Sequence, residues 1–255
     1  MKISLKKNEV IKRIQKNGYC HLENAFTNNE IKSVRKSLFL MLDYILPNTK
    51  IKDLHEKYYS VKNHSIVLKG HFFDMTSFEL NTLKLLHDKK IIDIVKSYFK
   101  TKVVFSGRPA VHIHDSENER FLDPHQETNQ CARDFLFIWA PLFDATGDQG
   151  GLMIYENSHM NGYYQHQSDN KLGSSHLKKN ILSKFKKKKI EVKAGSALLI
   201  HSALIHGSVA TKKKKFARFV LSDRYCPLAK IPYLKKENTT LKIPHYGVNY
   251  NSISD

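Results

Sequence analysis

No stretch of the 255-residue chain approaches the roughly 18 consecutive apolar residues of a membrane span. Charges run through the opening segment MKISLKKNEVIKRIQKNGYC, leaving no room for the apolar h-region of a secretory signal, so a cytoplasmic protein is expected. Cysteine is scarce: Cys20, Cys131 and Cys226 are far apart and odd in number, which argues against a disulfide framework and for a reducing compartment. Internal repeats and Pro/Gly/Ser linkers are absent, so residues 1–255 are read as a single domain. Lysine is missing from one long interval. Between Lys102 and Lys171 there are 68 residues with three arginines and ten acids, and no lysine.

The rest of the chain is strongly basic. The net charge is +18, from 35 lysines and 7 arginines against 24 acids. A basic surplus favours phosphate binding through counterion release. Phosphate and base recognition, however, draws on the planar fork of arginine, which is rare here. The pattern fits a solvated lysine periphery around a segment where charge is controlled. Nucleic acid is therefore an alternative partner and not the leading one; a small-molecule or conjugated substrate is the partner expected from the site described below. Hydrophobic residues at 41% and aromatics at 11% exclude a disordered tail.

The first 100 residues read as mostly helical support. Leu5, Val10, Ile11 and Ile14 share a helical face over 5–16, and Gly18 ends that helix before a short strand, YCHLENAF. Thr27 and Glu30 form a capping box that opens a helix over 28–45, closed by Pro47. Two further helices are expected over 77–86 and 88–98, with Asp88 capping the second. From about 101 to 226 the chain breaks into short β-branched or aromatic runs: TKVVFS, PAVHIH, RDFLFIWAPLFD, GLMIY, IEV, SALLIH and ARFVLSDRY. Helices followed by strands indicate an α+β fold, a double-stranded β-helix (jelly roll, cupin-like) with mostly N-terminal flanking helices. Residues 227–255 form a C-terminal extension. The lysine runs 186–189 and 212–215 precede strands and are read as solvated turns that discourage edge pairing.

The chemistry concentrates in FLDPHQETNQ, where His125 and Glu127 are two residues apart. In an extended segment, residues i and i+2 point the same way, so an imidazole and a carboxylate can meet at one ion. A further histidine lies about 80 residues on, within SALLIHSALIHGS. Two imidazoles and one carboxylate with open positions are the facial triad of non-haem Fe(II) oxygenases. Arg218, twelve residues after His206, stands in the next strand, where a buried guanidinium could hold a distal carboxylate. His112 and His114 share one strand face before the first site. Arg120 and Gln126 are candidate pocket residues, and the polar segment 156–188 is a candidate active-site lid.

Taken in order, PHQE, FIWAPLFDATGDQGGLMIYENSH, KAGSALLIHSALIHGS and ARFVLSDRY resemble the phytanoyl-CoA dioxygenase-like family of Fe(II)/2-oxoglutarate oxygenases over about 18–226. The resemblance implies a jelly-roll core, Fe(II), 2-oxoglutarate as cosubstrate, O2, and oxidation of an unactivated C–H bond. It assigns His125, Glu127 and His206 to iron as the catalytic centre and Arg218 to the C5 carboxylate of 2-oxoglutarate. Trp139 and Ser208 fall where members line the cosubstrate pocket. His201, five residues before His206, competes for the second imidazole, but strand alternation puts it on the opposite face. Departures are visible. Glu127 stands for the usual Asp, which related oxygenases tolerate and which argues against a halogenase. The family's Pro-Gly-Ser-His loop reads Glu156-Asn157-Ser158-His159, and Ser196 replaces an Asp. A non-catalytic binding module and a nucleic-acid-modifying oxygenase are the alternative readings.

Overall fold

The computed structural model describes residues 6–107, 109–117, 123–127, 134–169 and 174–228. Helix α1 (Lys7–Asn17) buries Val10 and Ile14 and ends at Gly18, whose positive φ of 79° lets its N–H return to the Ile14 carbonyl. Strand β1 (Tyr19–Leu22) follows. Helix α2 (Asn28–Ile45) starts at the expected capping box: Glu30 N–H donates to Thr27 Oγ1 at 3.3 Å, and Thr27 N–H donates to Glu30 Oε2 at 2.8 Å. It buries Ile31, Val34, Leu38 and Leu42, the three- and four-residue spacing of one helical face.

Between the expected helices lie two that periodicity did not single out, α3 (Leu54–His64) and α4 (Ile66–Thr76). Asp53 caps α3 by accepting from His55 and Glu56 N–H, and Ser65 caps α4 by accepting from Leu68 N–H. Helix α5 (Leu80–Leu86) begins three residues later than expected because Glu79 caps it. Helix α6 (Lys89–Phe99) is capped by Asp88.

Strands β2 (Val104–Ser106), β3 (Ala110–Asp115), β4 (Leu136–Pro141), β9 (Ala197–His201) and β11 (Ala217–Pro227) join β1 in a six-stranded sheet. Its order is β1-β9-β4-β11-β2, with β3 also paired to β11. A smaller sheet, β10-β5-β8, is built from β5 (Gly151–Tyr155), β8 (Lys187–Ile190) and β10 (His206–Val209). All these pairs are antiparallel. The two sheets form the expected double-stranded β-helix, and the helices cover the outer face of the larger one.

Alternation divides the core in two. Leu136, Ile138, Ala140, Phe219 and Leu221 pack toward the helices, whereas Phe137, Trp139, Leu152, Ile154 and Val220 fill the space between the sheets. Both faces of β4 and β11 are covered, so these strands read as near-continuous apolar runs.

Two expectations need correction. Lys187–Lys189 are not a turn before the IEV strand but exposed residues of β8 itself, at the edge of the smaller sheet, where Lys189 Nζ donates to the Gly147 carbonyl and to Glu191. There they still discourage edge pairing. The cysteines are not all free: Cys20 is a buried free thiol, but Cys226 is disulfide-bonded, its partner lying outside the described residues. Antiparallel sheets bring distant segments together, so separation along the chain did not exclude a bridge. The C-terminal extension beyond 228 also lies outside the described residues. Among the described residues, no helix is long and apolar enough to cross a membrane.

Removing the α2 cap is expected to cost about 1 kcal/mol. Thr27→Ala should lower the unfolding free energy by that amount, read as a lower denaturant midpoint with the slope of the transition unchanged.

Candidate metal centre

The first ligand segment lies against the start of β10. His125 N–H donates to the His206 carbonyl at 2.9 Å, and His206 N–H donates back to His125 at 3.0 Å. Two residues on, Glu127 N–H donates to the Ser202 carbonyl at 3.0 Å, which keeps the segment extended. The i, i+2 offset then turns the His125 and Glu127 side chains to one side, where His206 meets them. One donor atom from each of the three residues lies within 4.8 Å of the others.

Both imidazoles are preset as ligands. His125 Nδ1 contacts the Asp123 carbonyl at 2.6 Å and His206 Nδ1 contacts the Leu204 carbonyl at 2.9 Å. A carbonyl only accepts, so each Nδ1 carries a proton and each Nε2 is the atom turned toward Glu127. Those Nε2 atoms stand 3.7 and 3.9 Å from Glu127 Oε1. Such separations exceed a good hydrogen bond and suit donors that each reach about 2.1 Å to a shared ion. Burial, followed by the adjacent His125, pushes His206 down to about 3, so it is neutral at physiological pH. Burial opposes ionisation of Glu127, but Arg224, His125 and His206 hold its carboxyl well below the usual range.

Arg224 was not singled out from the sequence. Its Nη2 lies 3.2 Å from both Glu127 oxygens and its Nε 3.4 Å from Oε2, and the side chain is buried. A signal was present: Arg224 stands six residues after Arg218 in one strand, and an even offset shares a face.

A cavity of about 50 Å³ adjoins the triad, lined further by His112, His114, Trp139, Ser208, Ser222 and Arg224. Arg218 is fully buried. Its Nη1 donates to the Gly151 and Val209 carbonyls at 3.0 and 2.9 Å, and its Nη2 to Ser208 Oγ at 3.2 Å. Its guanidinium sits 5.7 Å from the Trp139 ring centroid, and its Nε has no partner among the described residues. Burial lowers Arg218 to about 10, which leaves it charged. Gly150, at φ +98°, makes room for it: a Cβ there would collide with Arg218 Nη1. His114, opposite Arg218 in the β3–β11 register, is pushed down to about 3 by burial and then by that charge.

The structure places Gln126 away from the cavity. Its amide donates to the Gly162 and Ala203 carbonyls at 2.8 and 2.6 Å and accepts from Tyr164 N–H at 2.8 Å. Its backbone N–H donates to His166 Nε2 at 3.0 Å. Gln126 therefore fastens residues 162–166 to the ligand segment. His201 is in register with Leu136, on the helix side of the sheet, and is not part of the triad. The 156–188 segment is largely folded. It contains the hairpin of β6 (Gln167–Asp169) and β7 (Ser174–His176) and the short α7 (Lys179–Leu182), and Leu177, Tyr164 and Phe185 pack with Tyr155 and Ile205. Arg120 lies outside the described residues.

Titration with Mn(II) is expected to show one ion per chain in the wild type and none in His206→Ala. Gln126→Ala should keep that stoichiometry while amide hydrogen exchange quickens across 162–166. Unchanged exchange there would remove the fastening role.

The phytanoyl-CoA dioxygenase (PhyH) family matches the chain over residues 14–219. Compared by sequence with curated proteins, the chain matches none. Several solved structures share its fold. The epimerase SnoN, solved with Fe3+, alpha ketoglutarate and nogalamycin RO, aligns at TM-score 0.64 and 12% identity, covering 87% of this chain and 83% of that one. EctD from S. alaskensis, in its apoform, aligns at TM-score 0.63 and 15% identity, covering 89% and 78%. The alpha ketoglutarate dependent carbocyclase SnoK from nogalamycin biosynthesis aligns at 0.60 and 13%, covering 87% and 84%. At such identities the likeness speaks for the fold, whereas the family match takes in most of the sequence and both ligand segments: the chain belongs to the phytanoyl-CoA dioxygenase family.

Proposed function

We propose that the protein is an Fe(II)- and 2-oxoglutarate-dependent dioxygenase that hydroxylates a small or conjugated substrate, anionic or sugar-linked, with release of succinate and CO2. The observation that carries this reading is the convergence of His125, Glu127 and His206 beside buried Arg218, whose Nε has no partner among the described residues. Two imidazoles and a carboxylate suit iron and leave coordination positions for a chelating cosubstrate and dioxygen. When bound, iron with 2-oxoglutarate supplies the oxidising power that no side chain has.

The protein's own residues bind and orient. His125 and His206 would offer their Nε2 atoms, each ring held in place by its Nδ1–H on the Asp123 or Leu204 carbonyl. Glu127 contributes the anion. Arg218 and Ser208 are proposed to take the distal carboxylate of 2-oxoglutarate, with Trp139 walling the pocket. The closing apolar residues Phe137 and Leu152 keep water from the site. Fold-level likeness extends to an epimerase and a carbocyclase, so hydroxylation is a proposal about outcome, distinct from the family assignment. An anionic or sugar-linked substrate is favoured by the basic periphery and by the polar segment beside the site.

Succinate release from 2-oxoglutarate, with Fe(II) and ascorbate in air, tests the proposal. Wild type is expected to release succinate and His206→Ala none. Arg218→Met should raise the KM for 2-oxoglutarate about 10- to 100-fold, the loss expected for hydrogen bonds to a charged group. Iron-loaded wild type that binds 2-oxoglutarate yet never forms succinate, across anionic and sugar-linked candidates, would instead support the binding-module reading.

A further inference from the structure

Arg224 has a free hydrogen-bond donor that nothing in the triad explains. Its side chain is buried, and it lines the cavity shared by His125, Glu127 and His206. Nε and Nη2 are occupied by Glu127, but Nη1 is buried with no partner among the described residues. An unpaired N–H of a buried guanidinium is costly, so an acceptor is expected there.

The charge balance points the same way. Among the described residues Arg218 meets two carbonyls and a hydroxyl, and no carboxylate. Two buried guanidiniums therefore face one carboxylate, Glu127. A divalent cation on Glu127 widens that excess of positive charge. The cavity is built for a guest with more than one negative charge.

The two arginines also mark its two ends. Both project from the same face of β11 into the space between the sheets, since an even offset preserves the side. Arg218 sits at the Ser208 and Trp139 end, and Arg224 at the Glu127 end. A dicarboxylic 2-oxo acid carries a carboxylate at each end. We propose that Arg224 is the second cationic contact of the cosubstrate: Nε and Nη2 hold Glu127, and Nη1 takes an oxygen of the carboxylate that lies beside the 2-oxo group. The inference rests on the reading of the site as one for a metal and 2-oxoglutarate, and it adds a contact to the side chains assigned there.

Calorimetric binding to the Mn(II)-saturated protein tests this without turnover. Two ligands are compared: 2-oxoglutarate and 2-oxobutyrate, which lacks the distal carboxylate. Arg224→Met should weaken both by the same factor, about 10- to 100-fold, with metal saturation checked separately for each variant. Arg218→Met should weaken 2-oxoglutarate alone. Should Arg224→Met not fold, Arg224→Lys serves: a point charge cannot both hold Glu127 as a fork and reach the ligand, so both ligands should again weaken together. Unchanged affinity for both ligands in a metal-saturated Arg224 variant would overturn the proposal and leave Arg224 as a positioning residue for Glu127. Loss confined to 2-oxoglutarate would overturn it too. Failure of the wild type itself to bind 2-oxoglutarate would count against the parent reading instead.

Discussion

Everything in this protein depends on β11 being buried on both faces. All eleven residues from Ala217 to Pro227 are buried, and the strand pairs with β4 on one side and with β3 and β2 on the other. Its alternation assigns two jobs. Ala217, Phe219, Leu221 and Tyr225 anchor the helical layer, while Arg218, Val220, Ser222 and Arg224 face the space between the sheets. Even its acid is placed by this rule. Asp223 turns toward the helices, accepting from Ser106 Oγ at 2.6 Å and meeting His87 Nε2 at 3.1 Å. A one-residue slip would send both arginines into the helix-side core, so register and function stand or fall together.

The site that results is an arrangement of unlike electrostatics in a small volume. Burial keeps His206 and His114 neutral, which suits His206 to metal binding and spares the pocket further positive charge. Burial cannot neutralise the guanidiniums, so each needs acceptors: Arg218 finds backbone carbonyls and Ser208, and Arg224 finds Glu127, with Arg218 Nε and Arg224 Nη1 left without a partner among the described residues. Removing a buried partner of this kind leaves an uncompensated charge and costs about 3–5 kcal/mol. Glu127 thus holds Arg224 while facing both imidazoles. The ligand segment is in turn held from outside by Gln126, whose amide closes on Gly162, Tyr164 and Ala203.

Much of this was legible in the sequence where one local rule dominates. The Thr27–Glu30 box marked the start of α2 because both partners lie within one helical turn. The His125–Glu127 offset marked the first ligand pair because strand geometry decides direction at that range. Helices α3 and α4 were not individually legible: α3 buries Lys57 and Tyr58 among its apolar positions, and α4 is apolar around much of its circumference, so neither shows a clean stripe. Strand β8 hid in a lysine run because an edge strand on a solvated sheet needs little apolar side chain. Gln126 looked like a pocket residue because it lies between two ligands, yet alternation sends it to the opposite side. Arg224 could have been found by the same alternation that found Arg218.

The central claim is that His125, Glu127 and His206 hold one iron with positions free for a chelating 2-oxo acid. Its most direct test is an anaerobic titration of the Fe(II)-loaded protein with 2-oxoglutarate, followed by visible absorption. Chelation at the iron should produce a metal-to-ligand charge-transfer band that saturates at one equivalent per chain and is missing from His206→Ala. Wild-type protein that binds Fe(II) but stays colourless at saturating 2-oxoglutarate would contradict it.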